Sequence, residues 1–287
     1  MTIAVTGATG QLGRLVLDEL LTNHEPAALV AVVRDAGKAG ELRARGVQVR
    51  VADYSDPASL EVALTGVDRL LLISGSEVGS RVAQHANVIN AAKAAGVNFI
   101  AYTSVLAADT TDLILAPEHK ATEELIRASG LENTILRNGW YTENYVQTVA
   151  TARQTGAVVA AAGDGRVASA ARADYAAAAA VVLSSAGHEG RVYELSGDYA
   201  WDFKELATAL TEIAGREVVY QPVTAAELVE VLTSAGLDQG TAGFLAALDS
   251  DTQAGLLATV TGDLSGLIGR PTTPLLQALR SAAAAAS

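Results

Sequence analysis

The chain of 287 residues contains no cysteine, and its four histidines are scattered along the sequence. Without cysteine, the protein cannot form disulfides, use a thiolate nucleophile or bind zinc through sulfur. The histidines, at positions 24, 85, 119 and 188, lack the spacing of metal ligands, so we expect no metal site. The chemistry of this protein must therefore come from an organic cofactor or from the remaining polar side chains.

Positive charge and long apolar runs are also scarce. The formal net charge of −12 argues against a nucleic acid or an anionic membrane as the partner. The most apolar run, residues 176–183, is far shorter than the roughly 20 residues that a membrane-spanning helix needs. The chain enters a strand by residue 3 without a basic leader, so we expect a cytoplasmic protein that can form a homo-oligomer.

Continuous apolar strands alternate with helical patterns in the first half of the chain, which predicts a doubly wound parallel sheet of the Rossmann type. The predicted strands are Ile3–Thr6, Leu29–Val33, Val47–Ala52, Arg69–Ile73, Phe99–Thr103 and Thr134–Arg137. The predicted helices are Gln11–Thr22, Ala36–Arg45, Asp56–Leu64, Val78–Ala95 and Glu118–Ala128.

The second half is less regular and indicates a smaller, mostly helical C-terminal lobe over the carboxyl edge of the sheet. We place a Rossmann domain at residues 1–156 and this lobe at residues 157–287, with a strand at 191–195 that rejoins the sheet. The closing alanine run, Ala282–Ala286, is predicted to be a frayed helix end.

Three glycines, Gly7, Gly10 and Gly13, join the first predicted strand to the first predicted helix. Glycines at this place let the backbone turn tightly and approach a pyrophosphate, which the N–H groups and dipole of the helix then favour. The spacing Gly-x-x-Gly-x-x-Gly differs from the more common Gly-x-Gly-x-x-Gly, but the strand before it and the helix after it predict a dinucleotide site.

The residues after the second predicted strand indicate which dinucleotide binds. Arg34 suits the 2′-phosphate of NADPH, and Lys38 lies one helical turn further on. Asp35 leaves the alternative that a carboxylate binds a ribose, and Arg34 can also be a solvated charge at a strand end. We favour NADPH, and residues 1–156 then form an NADP-binding domain.

Polar residues also follow the third and fourth predicted strands. Asp53 is either an acceptor for the adenine amino group or a turn residue before the next helix. Ser74 and Gly75 are small enough for the nicotinamide half of the cofactor to pass close to the backbone, although an ordinary turn explains them equally well.

The Tyr-x-x-x-Lys pair of ordinary short-chain dehydrogenases is missing. The residues four positions before the lysines Lys38, Lys93, Lys120 and Lys204 are Arg34, Ile89, Ala116 and Ala200. Lys120 is a candidate acid, but a solvated helix start explains His119-Lys120 as well, so we assign no catalytic residue.

The segment after the sixth predicted strand, Asn138–Tyr145, combines aromatic rings and amides in a way that suits a pocket. Flat rings can stack on a cofactor or substrate, and an amide can hold a carbonyl. The alternative is a packed connection to the second lobe.

Seven motifs carry a family resemblance along nearly the whole chain. The chain resembles the NmrA-like, atypical short-chain dehydrogenase/reductases, and among them it is most similar to the bacterial type 2 NAD(P)H:quinone oxidoreductases. The motifs are Thr6–Gly13, Leu71–Ser74 with residues 77–79, Gln84–Lys93, Phe99–Ser104, Leu136–Tyr145, Ala161–Gly165 with Arg172–Tyr175, and Leu267–Thr273.

This resemblance implies direct hydride transfer from NADPH to a quinone without flavin or metal, and it accounts for the missing Tyr-x-x-x-Lys. Related alternatives are a reductase of triarylmethane dyes and an NADP-binding redox sensor. Lys120 departs from the family pattern, and residues 249–262 match it poorly. The cofactor-lining residues that the resemblance implies are Gly7, Ala8, Thr9, Gly10, Gln11, Leu12, Arg34, Ser74, Gly75, Asn138, Gly139, Trp140, Tyr141, Thr142 and Glu143.

Overall fold

The computed structural model describes residues 1–77 and 79–285, which form two compact units. Two predicted positions, the helix start at Val78 and the helix end at Ala286, lie outside the described residues. The first unit comprises Met1–Asp109, Leu115–Asn138 and Arg172–Leu195, and the second comprises Thr110–Ile114, Gly139–Ala171 and the described chain from Ser196 onward.

The first unit is built on a seven-stranded sheet in the order β3-β2-β1-β4-β5-β6-β9, with every neighbouring pair parallel. The predicted doubly wound parallel sheet is therefore confirmed. The strands of the chain are β1 (Ile3–Val5), β2 (Leu29–Val33), β3 (Gln48–Val51), β4 (Arg69–Leu72), β5 (Phe99–Val105), β6 (Glu132–Asn138), β7 (Ala157–Ala160), β8 (Arg166–Val167), β9 (Val192–Leu195), β10 (Trp201–Asp202) and β11 (Val219–Pro222).

Helices of the first unit cover the sheet, and every residue of β1, β2 and β5 is buried as continuous apolar strands require. The helix α1 packs on α7. The helices of both units, in the described part of the chain, are α1 (Gln11–Leu20), α2 (Gly40–Ala44), α3 (Pro57–Leu64), α4 (Arg81–Ala94), α5 (Ala116–Ser129), α6 (Val146–Thr155), α7 (Arg172–Ser184), α8 (Phe203–Ala214), α9 (Ala225–Ser234), α10 (Gln239–Gln253), α11 (Asp263–Ile268) and α12 (Leu275–Ala285).

The strand register brings the ends of the central strands together. Val5, the last residue of β1, pairs with Ala31 of β2 on one side and with Leu71 of β4 on the other. The loops that follow β1, β2 and β4 therefore leave the sheet at the same edge, its carboxyl edge, where ligands of such folds bind.

The predicted helix at Ala36–Arg45 is wrong in one respect. Residues Ala36–Ala39 form a 3₁₀ turn, and only Gly40–Ala44 is α-helical. The carboxylate of Asp35 accepts a hydrogen bond from the N–H of Gly37 and stabilises this tighter turn. Glycine in a helix costs conformational entropy, so it favours the interruption.

The C-terminal part of the chain is mostly helical, as predicted, with α8–α12 between residues 203 and 285. The second unit also contains α6 and two small sheets. The strand β8 pairs antiparallel with β10, and β7 pairs parallel with β11. Strands of two residues, such as β8 and β10, are too short to produce a recognisable alternation. Across the described chain, the structure contains no helix of the length and apolarity needed to cross a membrane.

Candidate functional site

The turn between β1 and α1 has a shape that only glycines allow. Gly7 has a φ of +56°, in the left-handed region that glycine adopts without strain. A Cβ atom on Gly13 would lie 2.4 Å from the carbonyl oxygen of Gly7, and one on Gly10 would lie 3.0 Å from the same atom. The three glycines therefore let the backbone pack closely on itself at the start of α1. The N–H groups of a first helical turn have no acceptor within the helix, so this turn suits an anion.

A hydroxyl junction holds the base of this turn. Thr6 Oγ1 donates to the carbonyl oxygen of Leu71 at 3.1 Å and accepts from the N–H of Ile73 at 3.0 Å. The Tyr54 hydroxyl lies within hydrogen-bonding distance of Thr6 Oγ1 and 2.9 Å from the carbonyl oxygen of Ile73. Burial raises the pKa of Tyr54 well above its usual value, so the phenol stays neutral. This junction connects the segments after β1, β3 and β4, and no local sequence pattern predicted it.

Arg34 directly follows β2, and its side chain is 74% exposed. Its Nη1 atom lies 3.3 Å from Oε1 of Glu77, a residue in the loop after β4 that is itself 53% exposed. The predicted cation is therefore at the carboxyl edge of the sheet and reachable from solvent. In this structure its one ion-pair partner among the described residues is the Glu77 carboxylate.

A second guanidinium, which the sequence analysis missed, lies beside the glycine turn. Arg14 in α1 donates from Nε to the carbonyl oxygen of Thr9 at 3.1 Å, and from Nη2 to that of Lys38 at 3.4 Å. It thereby links the glycine turn to the segment after Arg34. The position of Arg14 in the sequence could have indicated this role. A positive charge in the first turn of a helix interacts unfavourably with the helix dipole unless an anion or an acceptor compensates for it.

The two carboxylates that the sequence offered as ribose or adenine acceptors both stabilise local turns. Asp35 Oδ1 accepts from the N–H of Gly37 at 2.8 Å, and Asp53 Oδ1 accepts from the N–H of Ser55 at 2.7 Å. The turn role proposed for Asp53 is thus present, and its contact with adenine stays a prediction.

The loop after β4 is held by three side chains, one from β5 and two from α4. The N–H of Ser74 donates to Thr103 Oγ1 at 2.9 Å, and the N–H of Gly75 donates to His85 Nε2 at 3.0 Å. Arg81 Nε in turn donates to the carbonyl oxygen of Gly75 at 2.7 Å. The N–H and the carbonyl oxygen of Gly75 are therefore both held by hydrogen bonds. Gly75 lies in the loop that is predicted to line the nicotinamide half of the cofactor.

These contacts determine the state of His85. Its Nε2 atom accepts from Gly75, so Nε2 carries no proton, and Nδ1–H donates to Thr122 Oγ1 at 3.0 Å. Thr122 can accept this bond because its own hydroxyl proton goes to the carbonyl oxygen of Glu118 at 2.8 Å. Burial, followed by the charges of His119 and Arg81, lowers the pKa of His85 to about 3. The imidazole is therefore neutral and acts as a fixed acceptor.

A second histidine lies close to the first, which the sequence analysis did not foresee. His119 Nδ1 lies 2.8 Å from the hydroxyl of Tyr102, and the rings of Tyr102 and His85 meet edge to face at 5.4 Å. Burial, with the charge of Arg81, lowers the pKa of His119 to about 3. Lys120, the residue that the sequence offered as a candidate acid, has its Nζ atom 3.4 Å from the carbonyl oxygen of Asp109. Among residues 1–77 and 79–285, no group of three or more histidine, aspartate or glutamate side chains is placed to hold a metal ion.

A buried charge cluster fixes the loop after β5. Arg137 makes ion pairs with Glu123 at 2.8 Å and with Asp109 and Glu194 at 2.7 Å each. Burial alone would raise the pKa of Glu123, but its hydrogen bonds to Arg137 hold it below the usual value. Glu194 Oε2 accepts from the N–H of Ala107, a residue strained at φ +50°. The sequence feature that could have indicated this cluster is Arg137 itself, a charged residue inside an otherwise apolar strand.

In the second unit, the segment after β6 is packed from its middle onward. The N–H of Thr142 donates to the carbonyl oxygen of Ala170 at 2.9 Å, and its hydroxyl lies 2.8 Å from Ser169 Oγ. Ser169 Oγ also accepts from Trp201 Nε1 at 2.9 Å. The ring of Tyr145 meets that of Trp201 edge to face at 5.0 Å. The hydroxyl of Thr142 and the ring of Tyr145 therefore make contacts inside the second unit.

The predicted site residues are divided between the two units. The glycine turn, Arg34, the Ser74–Gly75 loop and Asn138 belong to the first unit, and Gly139–Glu143 belong to the second. Within the first unit, the structure brings the glycine turn, Arg34 and the Ser74–Gly75 loop to the carboxyl edge of one sheet.

Comparison with known proteins supports a nucleotide site. Residues 7–186 match the model of an NAD(P)H-binding family. The chain is 53% identical over 277 residues to quinone oxidoreductase 2 of Escherichia coli strain K12, with 96% of this chain and 97% of that protein covered. The crystal structure of the E. coli NADPH-dependent quinone oxidoreductase complexed with NADPH aligns with a TM-score of 0.94 and 53% identity, covering 98% of this chain and 99% of that chain.

A second solved structure is also similar over the full length. Triphenylmethane reductase of Citrobacter sp. aligns with a TM-score of 0.95 and 41% identity, covering 99% of this chain and all of that chain. Both similarities extend over the two units, and the family model includes the glycine turn, Arg34 and the Ser74–Gly75 loop. The chain therefore belongs to the NAD(P)H-binding family and, within it, to the NmrA-like oxidoreductases.

Proposed function

We propose that this protein is an NADPH-dependent quinone oxidoreductase that transfers hydride directly from NADPH to a quinone, without flavin or metal. The observation that carries the proposal is 53% identity to E. coli quinone oxidoreductase 2 over 96% of this chain. The glycine turn supports it physically, since the absence of Cβ atoms at Gly10 and Gly13 lets the Gly7 carbonyl pack closely against the start of α1. Such a tight turn at a helix N-terminus suits a pyrophosphate.

In this proposal each part of the first unit has one task. The backbone of Gly7, Ala8, Thr9, Gly10, Gln11 and Leu12 binds the pyrophosphate, and Arg34 binds the 2′-phosphate. Ser74 and Gly75 line the nicotinamide half, held rigid by Thr103 and His85. Asn138 of the first unit and Gly139, Trp140, Tyr141, Thr142 and Glu143 of the second unit stay predicted cofactor-lining residues.

The chemistry needs little from a protein acid. NADPH supplies a hydride and is left as NADP⁺, and the quinone takes that hydride and one proton from water to become a hydroquinone. The buried tyrosines fit this division of labour. Tyr54 and Tyr102 are both directed into the protein interior, with pKa values raised by burial, so they serve as neutral hydrogen-bonding groups. Orientation of the two rings is then the main contribution of the protein.

The direct test mixes the protein with NADPH and a small benzoquinone and follows the absorbance of the reduced cofactor. We expect quinone-dependent loss of absorbance in protein that carries no flavin absorbance, at a rate unchanged by a metal chelator. Absence of turnover with a series of benzoquinones and naphthoquinones, despite tight NADPH binding, would instead indicate an NADP-binding redox sensor. The cytoplasmic location and a homo-oligomeric state stay predictions.

A reductase of triarylmethane dyes is the second candidate, and the 41% identity to Citrobacter triphenylmethane reductase favours it. The two activities use the same hydride donor and differ in the acceptor. Side-by-side turnover of a benzoquinone and a triphenylmethane dye at equal concentration separates them. We expect the quinone to be reduced faster, and faster reduction of the dye would reverse the assignment.

A further inference from the structure

The loop after β4 contains a carboxylate with one partner on each oxygen. Oε1 of Glu77 lies 3.3 Å from Nη1 of Arg34, and Oε2 accepts a hydrogen bond from Nε2 of Gln84 at 2.9 Å. The backbone oxygen of Glu77 also accepts from the N–H of Ser80 at 3.2 Å. The carboxylate is thus held in front of the guanidinium by α4 and by its own loop.

The pair between Arg34 and Glu77 is built to exchange. Both side chains are more than half exposed, and one contact of 3.3 Å uses a single nitrogen of a guanidinium that offers five N–H donors. A phosphate dianion accepts two parallel bonds from such a fork and binds it more strongly than one carboxylate oxygen at this distance. A phosphate on Arg34 therefore displaces Glu77, or stays beside it as a like charge.

We propose that Glu77 is a specificity-determining competitor of the cofactor: its carboxylate takes the place of the NADPH 2′-phosphate on Arg34 and weakens the binding of NADPH relative to NADH. This inference rests on the proposed role of Arg34 at the 2′-phosphate. Arg34 then has an anionic partner before, during and after each binding event. When NADP⁺ leaves, Glu77 replaces the departing phosphate, which speeds product release.

The test is Glu77→Gln, which removes the charge and keeps the shape and an acceptor for Gln84. Dissociation constants for NADPH and NADH are measured by titrating the fluorescence of the reduced cofactor at fixed ionic strength. We expect NADPH to bind about fivefold more tightly and NADH to change by less than about twofold. Stopped-flow release of NADP⁺ should slow by a similar factor.

Two further variants establish the mechanism. Glu132→Gln removes the same charge from an exposed residue at the start of β6, the opposite edge of the sheet, and should leave both constants unchanged. In an Arg34→Ala background, Glu77→Gln should change NADPH binding by less than about twofold. Unchanged or weaker NADPH binding by Glu77→Gln alone would overturn the proposal, because Glu77 would then be inert or would orient Arg34.

These experiments distinguish failure of the proposed function from failure of the inference about Glu77. Protein that binds NADPH but reduces no quinone contradicts the proposed function and leaves the effect of Glu77→Gln measurable. Protein that reduces quinones but shows the same NADPH constant with and without Glu77→Gln contradicts only the inference about Glu77.

Discussion

Two arginines of the first unit face carboxylates in opposite environments. Arg34 and Glu77 are 74% and 53% exposed and share one contact, whereas Arg137 and Glu123 are 5% and 1% exposed and share two. Water competes with the first pair and is excluded from the second. The same ion pair is therefore exchangeable in one place, where a ligand can replace it, and structural in the other, where it fixes a strained loop.

Removing Arg137 should have the largest effect. Arg137→Met leaves the Glu123 carboxylate buried without its main partner, so we expect the free energy of unfolding to fall by about 3–5 kcal/mol. Denaturant unfolding measures this loss. The matched control is Arg280→Met, which breaks an exposed pair with Glu212 and should cost less than about 1 kcal/mol. Equal costs for the two variants would erase the distinction between buried and exposed pairs.

Arg34→Ala tests the exchangeable ion pair, that of Arg34 and Glu77. It should leave the free energy of unfolding nearly unchanged but weaken NADPH binding by about 1.5–3 kcal/mol, the value of a charge-assisted phosphate contact. NADH binding should change little because NADH has no 2′-phosphate. A titration that finds the NADPH dissociation constant unaltered would show that Arg34 is only a solvated charge.

Gly13→Ala separates backbone shape from charge. The added Cβ would lie 2.4 Å from the Gly7 carbonyl oxygen, so the turn must shift, at a cost of about 1–3 kcal/mol in stability. Both NADPH and NADH should bind much more weakly, in contrast to Arg34→Ala. Gly243→Ala in α10 is the control, since a Cβ there meets nothing within 4 Å and should be neutral or stabilising. Unaltered cofactor affinity in Gly13→Ala would remove the glycine turn from the site.

The buried histidines should determine much of the pH dependence of stability. The folded pKa values of His85 and His119, about 3, lie below the ordinary 6.5, so the unfolded state binds more protons as the pH falls. Stability should be complete above pH 6.5 and fall by about 1.4 kcal/mol per pH unit and per histidine below it. His85→Gln and His119→Gln should each reduce the slope between pH 6.5 and 5 by nearly half. The double variant should remove most of it, with a remainder from His188, whose pKa burial also lowers, and an unaltered slope there would contradict the assignment.

Local patterns predicted the parts of the site that depend on neighbouring residues. Gly7, Gly10 and Gly13 lie within seven positions of one another, so their spacing beside an apolar strand was enough to indicate the turn. The position of Arg34 was predicted for the same reason, because the end of β2 is marked by the hydrophobic run before it. Its contact with the cofactor stays a prediction.

The missed contacts depend on topology. The Tyr54–Thr6 contact spans 48 positions, and the Arg137–Glu194 pair spans 57. Such partners meet only because the strand order places β6 beside β9 and brings the ends of β3 and β1 to the same edge of the sheet, with β2 between them. No single-sequence pattern encodes which distant polar groups become neighbours. Arg137 was visible as an anomaly in an apolar strand, but its partners were not.

Because Glu194 lies in β9, the charge cluster around Arg137 is completed late during synthesis of the chain. The chain leaves the first unit after Asn138, builds residues 139–171 of the second, and returns only with α7 and β9. Until Glu194 has left the ribosome, β6 is an open edge and Arg137 lacks one of its three carboxylates. Closing the sheet is thus a late event with high contact order, and a nascent chain that stops before residue 195 exposes an edge prone to mispairing.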